Sequence, residues 1–210
     1  MAALVLYGFS GSTYVRTVRM VLHAKGADYE QVPVNVLAGE PRQEAHRARH
    51  PFGKVPVLDH DGFRILETSA IAPYLDEVLP GPILTPATPR DRARMRMTMG
   101  IVDSYGYGAL VGLAGYHLFP DFIGGADEAK RRNGLATSRL VLGELMKIRG
   151  ADPFIAGAAP SLADFYLAPL CFYVGLTPDA EAAFDVPGLA EWWARAQALE
   201  SFKTTVPDLG

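Results

Sequence analysis

Two adjoining stretches decide how the N-terminal part of the chain folds: Pro51-Phe-Gly-Lys-Val-Pro-Val-Leu-Asp59 and Gly62-Phe-Arg-Ile-Leu-Glu-Thr-Ser-Ala-Ile71. In both, apolar residues alternate with their neighbours, which is typical of short strands. His60-Asp61-Gly62 joins them, and glycine accepts the positive φ that a tight turn needs. A helical pattern follows the second strand, and either Thr68 or Ser69 can provide its N-cap. The sequence therefore predicts a hairpin that leads directly into a helix.

Proline 56 is unusual at the start of a strand. Because proline has no N–H for the strand ladder, it indicates either an edge strand or an irregular backbone. In the first interpretation Pro56 is an ordinary edge-strand proline. In the second, the Val55–Pro56 bond is cis and turns the N–H and C=O of Val55 outward, toward a ligand.

The residues around this hairpin complete a thioredoxin-like order, strand–helix–strand–helix–strand–strand–helix (βαβαββα). The further predicted elements are a strand over Ala3–Tyr7, a helix over Thr13–Lys25, a strand over Tyr29–Val36, a short helix over Arg42–His50 and a helix over Ala70–Val78. A thioredoxin carries Cys-x-x-Cys after its first strand. This chain has Ser10-Gly-Ser-Thr13 there, which excludes disulfide exchange.

Four prolines between positions 80 and 89 indicate an extended linker. Every periodic segment from Arg90 onward has helical spacing. We therefore predict a thioredoxin-like α/β domain over residues 1–79, a proline-rich linker over residues 80–89 and an all-α domain over residues 90–210. In the helical domain, Ser161 and Asp164 form a variant of the capping box, whose role is to start a helix and not to catalyse.

Small residues recur at every fourth position in an apolar helical segment: Gly100, Ser104, Gly108 and Gly112. Such a stripe lets another helix, or a ligand, approach the backbone closely. Helix packing and one wall of an apolar substrate pocket are both open interpretations.

Composition limits the classes of function. The chain has 210 residues, 49% hydrophobic and 20% charged, which suits a globular protein with an ample core. Its net charge of −3 gives no general attraction to nucleic acid or to an anionic membrane. Cys171 is the single cysteine, so no intrachain disulfide or Cys-x-x-Cys zinc site can form, and we expect no metal. No signal peptide or membrane-spanning segment is recognisable, so we expect a cytoplasmic protein.

The two opening stretches together resemble the glutathione-binding half of cytosolic glutathione S-transferases. That family has N/H-P-x-G-x-V-P-x-L followed by x-E-S-x-A-I, and Thr68 keeps the hydroxyl of the family's serine. The segment from Gly157 to Asp164 is similar to the family's G-x-x-P-S/T-x-A-D, and the resemblance extends from Leu4 to Phe202. It implies the glutathione transferase fold, a homodimer and a bacterial, serine-type class similar to phi, delta or theta.

The resemblance also implies which residue activates the thiol of glutathione. In the serine-type classes the catalytic serine stands four residues before an arginine, as Ser12 stands before Arg16. Ser10 and Tyr7 are the alternatives, because zeta-type enzymes carry adjacent serines and other classes use a tyrosine in the first strand.

Each part of glutathione has an implied partner in the sequence. The main chain of Val55, next to Pro56 in the cis form, pairs with the cysteinyl part, and Glu67 with Thr68 holds the γ-glutamyl end. Two cations are implied at the glycine carboxylate: Lys54 and Arg42. Three aromatic side chains would line the pocket for the electrophile: Phe9, Tyr105 and Tyr116.

A glutathione transferase must ionise a thiol whose pKa in solution is about 8.5. A hydroxyl donor and the positive end of a helix both lower that pKa, and the start of the first helix offers both. The sequence therefore predicts an enzyme that uses glutathione as co-substrate and directs its thiolate at small, mostly apolar electrophiles. The alternatives are a glutathione-dependent isomerase or dehalogenase, and a non-catalytic member of the family that binds other proteins.

Overall fold

The computed structural model describes residues 4–208, and the chain divides into two compact units. The first unit holds the described residues up to Ile83 together with those from Glu200 onward, and the second is Leu84–Leu199. The predicted fold, a thioredoxin-like sheet followed by a set of helices, is confirmed. The proline-rich residues 80–89 span the boundary between the two units in the sequence.

A mixed sheet forms the centre of the first unit, with four strands in the order β2-β1-β3-β4 among the described residues. The strands are β1 (Leu4–Tyr7), β2 (Glu30–Val32), β3 (Val57–His60) and β4 (Phe63–Leu66). β1 runs parallel to β2 and antiparallel to β3, and β3 pairs antiparallel with β4. Asp61 and Gly62 have φ values of 50° and 83°, as a two-residue type I′ hairpin requires. β2 is shorter than predicted because Pro33 has no N–H to continue the ladder.

Helices α1 (Thr13–Ala24) and α3 (Thr68–Val78) bury apolar faces in the first unit. The stripe predicted for α1 is fully buried: Val15, Val18, Val21 and Leu22. Near the C-terminal ends of α1 and α3, Lys25 Nζ lies 2.7 Å from Asp76 Oδ1, and both side chains are buried. The same ammonium donates to the carbonyl of Asp76 at 2.9 Å, so one buried cation ties α1 to α3.

Two local predictions for the first unit need correction. Neither Thr68 nor Ser69 is the N-cap of α3, because the helix begins at Thr68 itself and Glu67 occupies the cap position without a side-chain hydrogen bond. The short helix expected over Arg42–His50 is two pieces: a 3₁₀ turn, Glu40–Arg42, and the one-turn helix α2, Glu44–Arg47. Gln43 separates them because its backbone is extended, with φ −72° and ψ 150°.

The second unit is helical throughout its regular elements. Its helices are α4 (Pro89–Ile101), α5 (Tyr107–Leu118), α6 (Glu128–Arg149), α7 (Leu162–Gly175), α8 (Ala180–Phe184) and α9 (Leu189–Ala198). A π-helical turn, Val102–Gly106, joins α4 to α5. α7 is buried along nearly its whole length and forms the core of the unit. Within residues 4–208, no helix has both the length and the apolar character needed to cross a membrane.

The predicted boundaries place residues 200–210 in the helical domain, whereas in the structure the described residues from Glu200 onward belong to the first unit. The last helix, α10 (Glu200–Lys203), belongs to the first unit and packs on α1. The buried guanidinium of Arg16 donates to the carbonyl of Phe202 at 3.0 Å and lies 4.1 Å from the centre of its ring. Arg19, one turn along α1, also donates to the carbonyl of Thr205 at 3.3 Å, so two arginines of α1 hold the segment around α10.

Asp164 is a polar centre in the core of the second unit. It completes the capping box that the sequence predicts at the start of α7. Its buried carboxylate accepts hydrogen bonds from the N–H of Ile155 at 3.0 Å, from the N–H and hydroxyl of Ser161 at 2.8 and 2.9 Å, and from the indole of Trp192 at 2.8 Å. Burial raises the pKa of the Asp164 carboxyl, and these donors oppose that rise by favouring the ionised form. The carboxylate thereby joins α7 to α9.

We expect Asp164→Asn to lower the free energy of unfolding by about 2–4 kcal/mol, because an amide nitrogen then faces donors that need an acceptor. Urea unfolding followed by tryptophan fluorescence measures the change. The exposed Asp121 provides the control, and Asp121→Asn should stay within about 0.5 kcal/mol of the wild type. Equal effects of the two substitutions would show that the buried network does not stabilise the unit.

Candidate active site

Strand register brings three of the predicted site segments to one edge of the sheet. Tyr7 pairs with Val57, and Val57 pairs with Leu66. The loop after β1, the residues just before β3 and the residues just after β4 therefore all leave the sheet at this edge, which we call the site edge. These segments carry the predicted residues Ser12, Val55, Pro56, Glu67 and Thr68.

Two helices also begin at the site edge, α1 at Thr13 and α3 at Thr68. The first N–H groups of a helix have no partner within the helix, and the helix dipole places partial positive charge there. α1 follows β1 after a five-residue loop, and α3 follows β4 after Glu67 alone. The site edge therefore favours anions, such as a thiolate or a carboxylate.

Ser12 lies where a hydroxyl can act on such an anion. It is the N-cap of α1, with an extended backbone, and its Oγ accepts from the N–H of Val15 at 3.4 Å. A serine hydroxyl has two acceptor sites and one proton to donate. Capping therefore uses an acceptor site and leaves the O–H proton free to point at a ligand.

The two alternatives to Ser12 have different surroundings. Ser10 Oγ lies 3.5 Å from the amide of Gln31, which donates to the carbonyl of Gly8 at 2.9 Å. Tyr7 lies under the guanidinium of Arg49, 4.7 Å from the centre of its ring.

The Tyr7 hydroxyl has a partner of its own. It bonds the carboxylate of Asp59 and, after the Arg64 guanidinium, helps to hold the pKa of that carboxyl below its usual range. Arg64 itself donates to both carboxylate oxygens, at 2.7 and 2.6 Å. Of the three candidates, Ser12 is the one that caps the start of a helix.

The segment before β3 has an irregular backbone. The Val55–Pro56 bond is cis, as the second interpretation of Pro56 requires, and the pairing of Val55 with a ligand stays a prediction. Gly53 has φ 60°, and a Cβ there would lie 2.8 Å from the carbonyl oxygen of Pro41. Gly53 therefore packs closely against the 3₁₀ turn that contains Arg42. Lys54 directly follows Gly53, and the side chains of Arg42 and Lys54 are both exposed.

Glu67 joins β4 to α3 through a strained backbone. Its φ of 66° with ψ 125° lies in a region that non-glycine residues rarely adopt. Its carbonyl accepts from the N–H groups of Ala70 and Ile71, both at 2.9 Å, while its carboxylate is exposed. Thr68 is buried directly behind it. Strain of this kind is typical of functional sites, and here it directs an acidic side chain outward at the start of a helix.

Two buried histidines support this region, and neither was predicted. His46 and His50 are one helical turn apart, and 2% and 1% of their surfaces are exposed. His46 Nε2 lies 2.7 Å from the carbonyl oxygen of Lys54, and His50 Nε2 lies 3.6 Å from Glu67 Oε1. Burial lowers the pKa of His50 and outweighs the opposing attraction of Glu67. Their i,i+4 spacing is the sequence signal that could have identified a buried face in the short helix predicted over Arg42–His50.

The three aromatic residues predicted for the substrate pocket lie in different units. Phe9 belongs to the first unit, where its ring packs over Gly11. Tyr105 lies on the π-helical turn and is 67% exposed. Tyr116 lies on α5, where its hydroxyl donates to Glu128 at 3.0 Å. The pocket itself remains a prediction.

Because burial lowers the pKa of His50, the unfolded chain binds more protons than the folded one as the pH falls below about 6.5, and folding stability should fall with it. His50→Asn removes this effect. Between pH 7.5 and 5.5, we expect the wild type to lose more stability than His50→Asn, by at most about 1.4 kcal/mol per pH unit. Urea unfolding at each pH measures this difference, and His23→Asn, which removes an exposed ring, is the control. Parallel profiles for the wild type and His50→Asn would contradict the prediction.

Comparisons with known proteins agree with this geometry. The model of the glutathione S-transferase N-terminal domain matches residues 6–82, which include the whole site edge. The chain is 34% identical over 181 residues to a maleylacetoacetate isomerase of Pseudomonas aeruginosa, with 78% of each protein covered. It is 29% identical over 213 residues to glutathione S-transferase Z2 of Arabidopsis thaliana, covering 99% of this chain and 92% of that protein.

A solved structure with the same fold is glutathione transferase F7 from Populus trichocarpa, with a TM-score of 0.86, 26% identity and 97% of each chain covered. The match therefore extends over both units and is not confined to the sheet. The chain belongs to the glutathione S-transferase family.

Proposed function

We propose that this protein binds glutathione at the site edge, ionises its thiol with the help of Ser12 and directs the thiolate at an electrophilic carbon of a small, mostly apolar molecule. The observation that carries the proposal is the strand register, which brings Ser12, Val55 and Glu67 to an edge where two helices begin. Family membership supplies the identity of the tripeptide.

Glutathione fits the charges of the site edge. Its thiolate would accept from the Ser12 hydroxyl near the start of α1, and the γ-glutamyl end would meet Glu67 and Thr68 at the start of α3. The Val55 main chain would pair with the cysteinyl part. The exposed cations of Lys54 and Arg42 would neutralise the glycine carboxylate.

Two reactions can proceed from the same first step. In conjugation, the thiolate forms a C–S bond as a leaving group such as halide departs. In isomerisation, the thiolate adds to a carbon–carbon double bond, the adduct rotates, and elimination regenerates glutathione. The relative from Pseudomonas aeruginosa named maleylacetoacetate isomerase favours isomerisation as the second candidate. The serine-type spacing of Ser12 and Arg16 favours conjugation of the phi, delta or theta kind.

Ser12→Ala should lower turnover at neutral pH by roughly ten- to a hundredfold. A hydrogen bond to a charged group contributes about 1.5–3 kcal/mol, which corresponds to roughly one to two units in the pKa of the bound thiol. Affinity for glutathione should change little, because Val55, Glu67 and Thr68 still bind the tripeptide. The loss should shrink as the pH rises, since solvent then ionises the thiol.

Turnover is measured from pH 6 to 9 with an aryl halide and, separately, with maleylacetoacetate. Retention of the wild type on glutathione resin is the first control, and failure there would overturn the proposed function. Ser12→Gly also lacks the hydroxyl but costs α1 only a few tenths of a kcal/mol as an N-cap, so it separates catalysis from folding. If Ser12→Ala matches the wild type while Ser10→Ala or Tyr7→Phe loses activity, the activator is one of those residues.

We also propose a cytoplasmic homodimer in which α3 and the α4–α5 segment meet a second copy. A Cβ added at Gly100 or Gly108 would touch nothing within 4 Å, so this part of the small-residue stripe is open for another backbone. Met97, one turn before Gly100, is 48% exposed. The Arg94 side chain of α4 is used within the protomer, because it donates to the carbonyls of Ile148 and Arg149 at 2.7 and 2.9 Å.

Light scattering at micromolar concentration should give about twice the chain mass of 22.7 kDa. Gly108→Leu should shift the mass toward the monomer, because the added side chain occupies the space required by the second copy. Gly143→Leu is the matched control, since Gly143 also lies inside a helix with open space around it. A monomeric wild type, or equal effects of the two variants, would contradict this interface.

A further inference from the structure

Within residues 4–208, the imidazole of His46 makes one close polar contact, to the carbonyl oxygen of Lys54 at 2.7 Å. A carbonyl oxygen can only accept, so His46 Nε2 must carry the hydrogen. The contact therefore assigns the tautomer: Nε2 donates to Lys54, and Nδ1 is buried without a hydrogen-bond partner among the described residues.

This donor controls the orientation of a neighbouring group. The carbonyl of Lys54 and the N–H of Val55 belong to the same peptide unit, which is planar and trans. In such a unit the C=O and N–H point in opposite directions. A hydrogen bond that fixes the Lys54 carbonyl therefore also fixes the direction in which the Val55 N–H points.

The segment that carries His46 is held by hydrogen bonds within its own main chain. The N–H of His46 donates to Gln43, and its carbonyl accepts from the N–H groups of Arg49 and His50. The N–H of Gly53 donates to the carbonyl of His50 at 2.9 Å, which closes the turn into Lys54. The donor and its acceptor thus belong to one short, internally bonded segment.

Burial makes the choice of histidine informative. His46 is only 2% exposed, and an imidazole with one unpartnered nitrogen is costly to bury. Packing alone would be served better by an apolar side chain of similar volume. The remaining benefit of an imidazole at this position is its donor to Lys54.

We propose that His46 is a positioning residue for glutathione, whose Nε2–H holds the Lys54–Val55 peptide in the orientation that lets the Val55 main chain pair with the cysteinyl part. This inference rests on the proposed function, because it requires glutathione at Val55. His46 acts through the peptide and does not itself touch the tripeptide.

The test compares His46→Leu with His46→Gln. Leucine fills the space and removes the donor. Glutamine places an amide nitrogen at about the reach of Nε2 and keeps the donor. Glutathione binding is measured by calorimetry, and KM for glutathione is separated from kcat at saturating glutathione. Thermal unfolding of each variant without ligand reports stability separately.

We expect His46→Leu to weaken glutathione binding by about five- to tenfold and to raise KM by a similar factor, with kcat within about twofold of the wild type. His46→Gln should recover most of the affinity. The Val55 amide resonance should shift on adding glutathione to the wild type and His46→Gln, and shift much less in His46→Leu.

Three outcomes would overturn the inference. His46→Leu could bind glutathione as the wild type does, the two variants could lose affinity equally, or the Val55 resonance could respond equally in all three proteins. If His46→Leu does not fold, His46→Gln still decides, because weak glutathione binding by a folded variant that keeps the donor would overturn the inference. A wild type that does not bind glutathione at all would instead overturn the proposed function.

Discussion

The antiparallel register of β1, β3 and β4 is the constraint on which the site depends. Tyr7 opposite Val57, and Val57 opposite Leu66, decide which residues leave the sheet together. Side chains alternate along a strand, so a slip of β1 by one residue would move the buried Leu4 and Leu6 to the face on which Val5 and Tyr7 are only half-buried. The hydrophobic pattern therefore fixes the register, and the register fixes the active site. The same strand register therefore determines both the packing of the sheet and the geometry of the candidate active site.

The site edge combines positive and negative groups in a definite way. The starts of α1 and α3 provide partial positive charge without any basic side chain. Glu67 adds an exposed carboxylate beside them, which suits the ammonium of a γ-glutamyl group. His50 lies 3.6 Å from that carboxylate but is buried, and burial favours its neutral form. The exposed Glu67 carboxylate is therefore available to a ligand and is not committed to an internal ion pair.

The features that could be predicted from the sequence are those that neighbouring residues encode. The Asp61-Gly62 turn, the Ser161–Asp164 capping box and the buried stripe of α1 depend on positions a few residues apart, and all were found. The contact between Arg16 and Phe202 joins residues 186 positions apart, and no local pattern announces it.

The start of α3 was misjudged for a different reason. Hydroxyl residues at positions 68 and 69 are good N-caps, but the backbone of Glu67 turns at a positive φ and starts the helix earlier. The strain is visible only in the folded chain. The burial of His46 and His50 is likewise missed by the prediction of a single short helix, because sequence periodicity is weak in a one-turn helix. The start of α3 and the two histidines lie beside the predicted glutathione site, where the fold overrides local sequence rules.

Conjugation and isomerisation share the formation of the thiolate and differ in the steps after it. Every group proposed to bind glutathione lies between Ser12 and Thr68, inside the region that matches the family's N-terminal domain. Relatives named for transfer and relatives named for isomerisation both match this chain, so this region is compatible with either chemistry. We predict that the choice of electrophile depends on the pocket residues, of which Phe9 lies inside this region and Tyr105 and Tyr116 lie outside it. In the second unit Tyr116 is already bonded to Glu128, and Arg131 bonds both Glu128 and Asp179, so this tyrosine hydroxyl serves the fold. Tyr105, exposed on a π-helical turn, is the predicted pocket residue of that unit whose side chain is free to take part in selection.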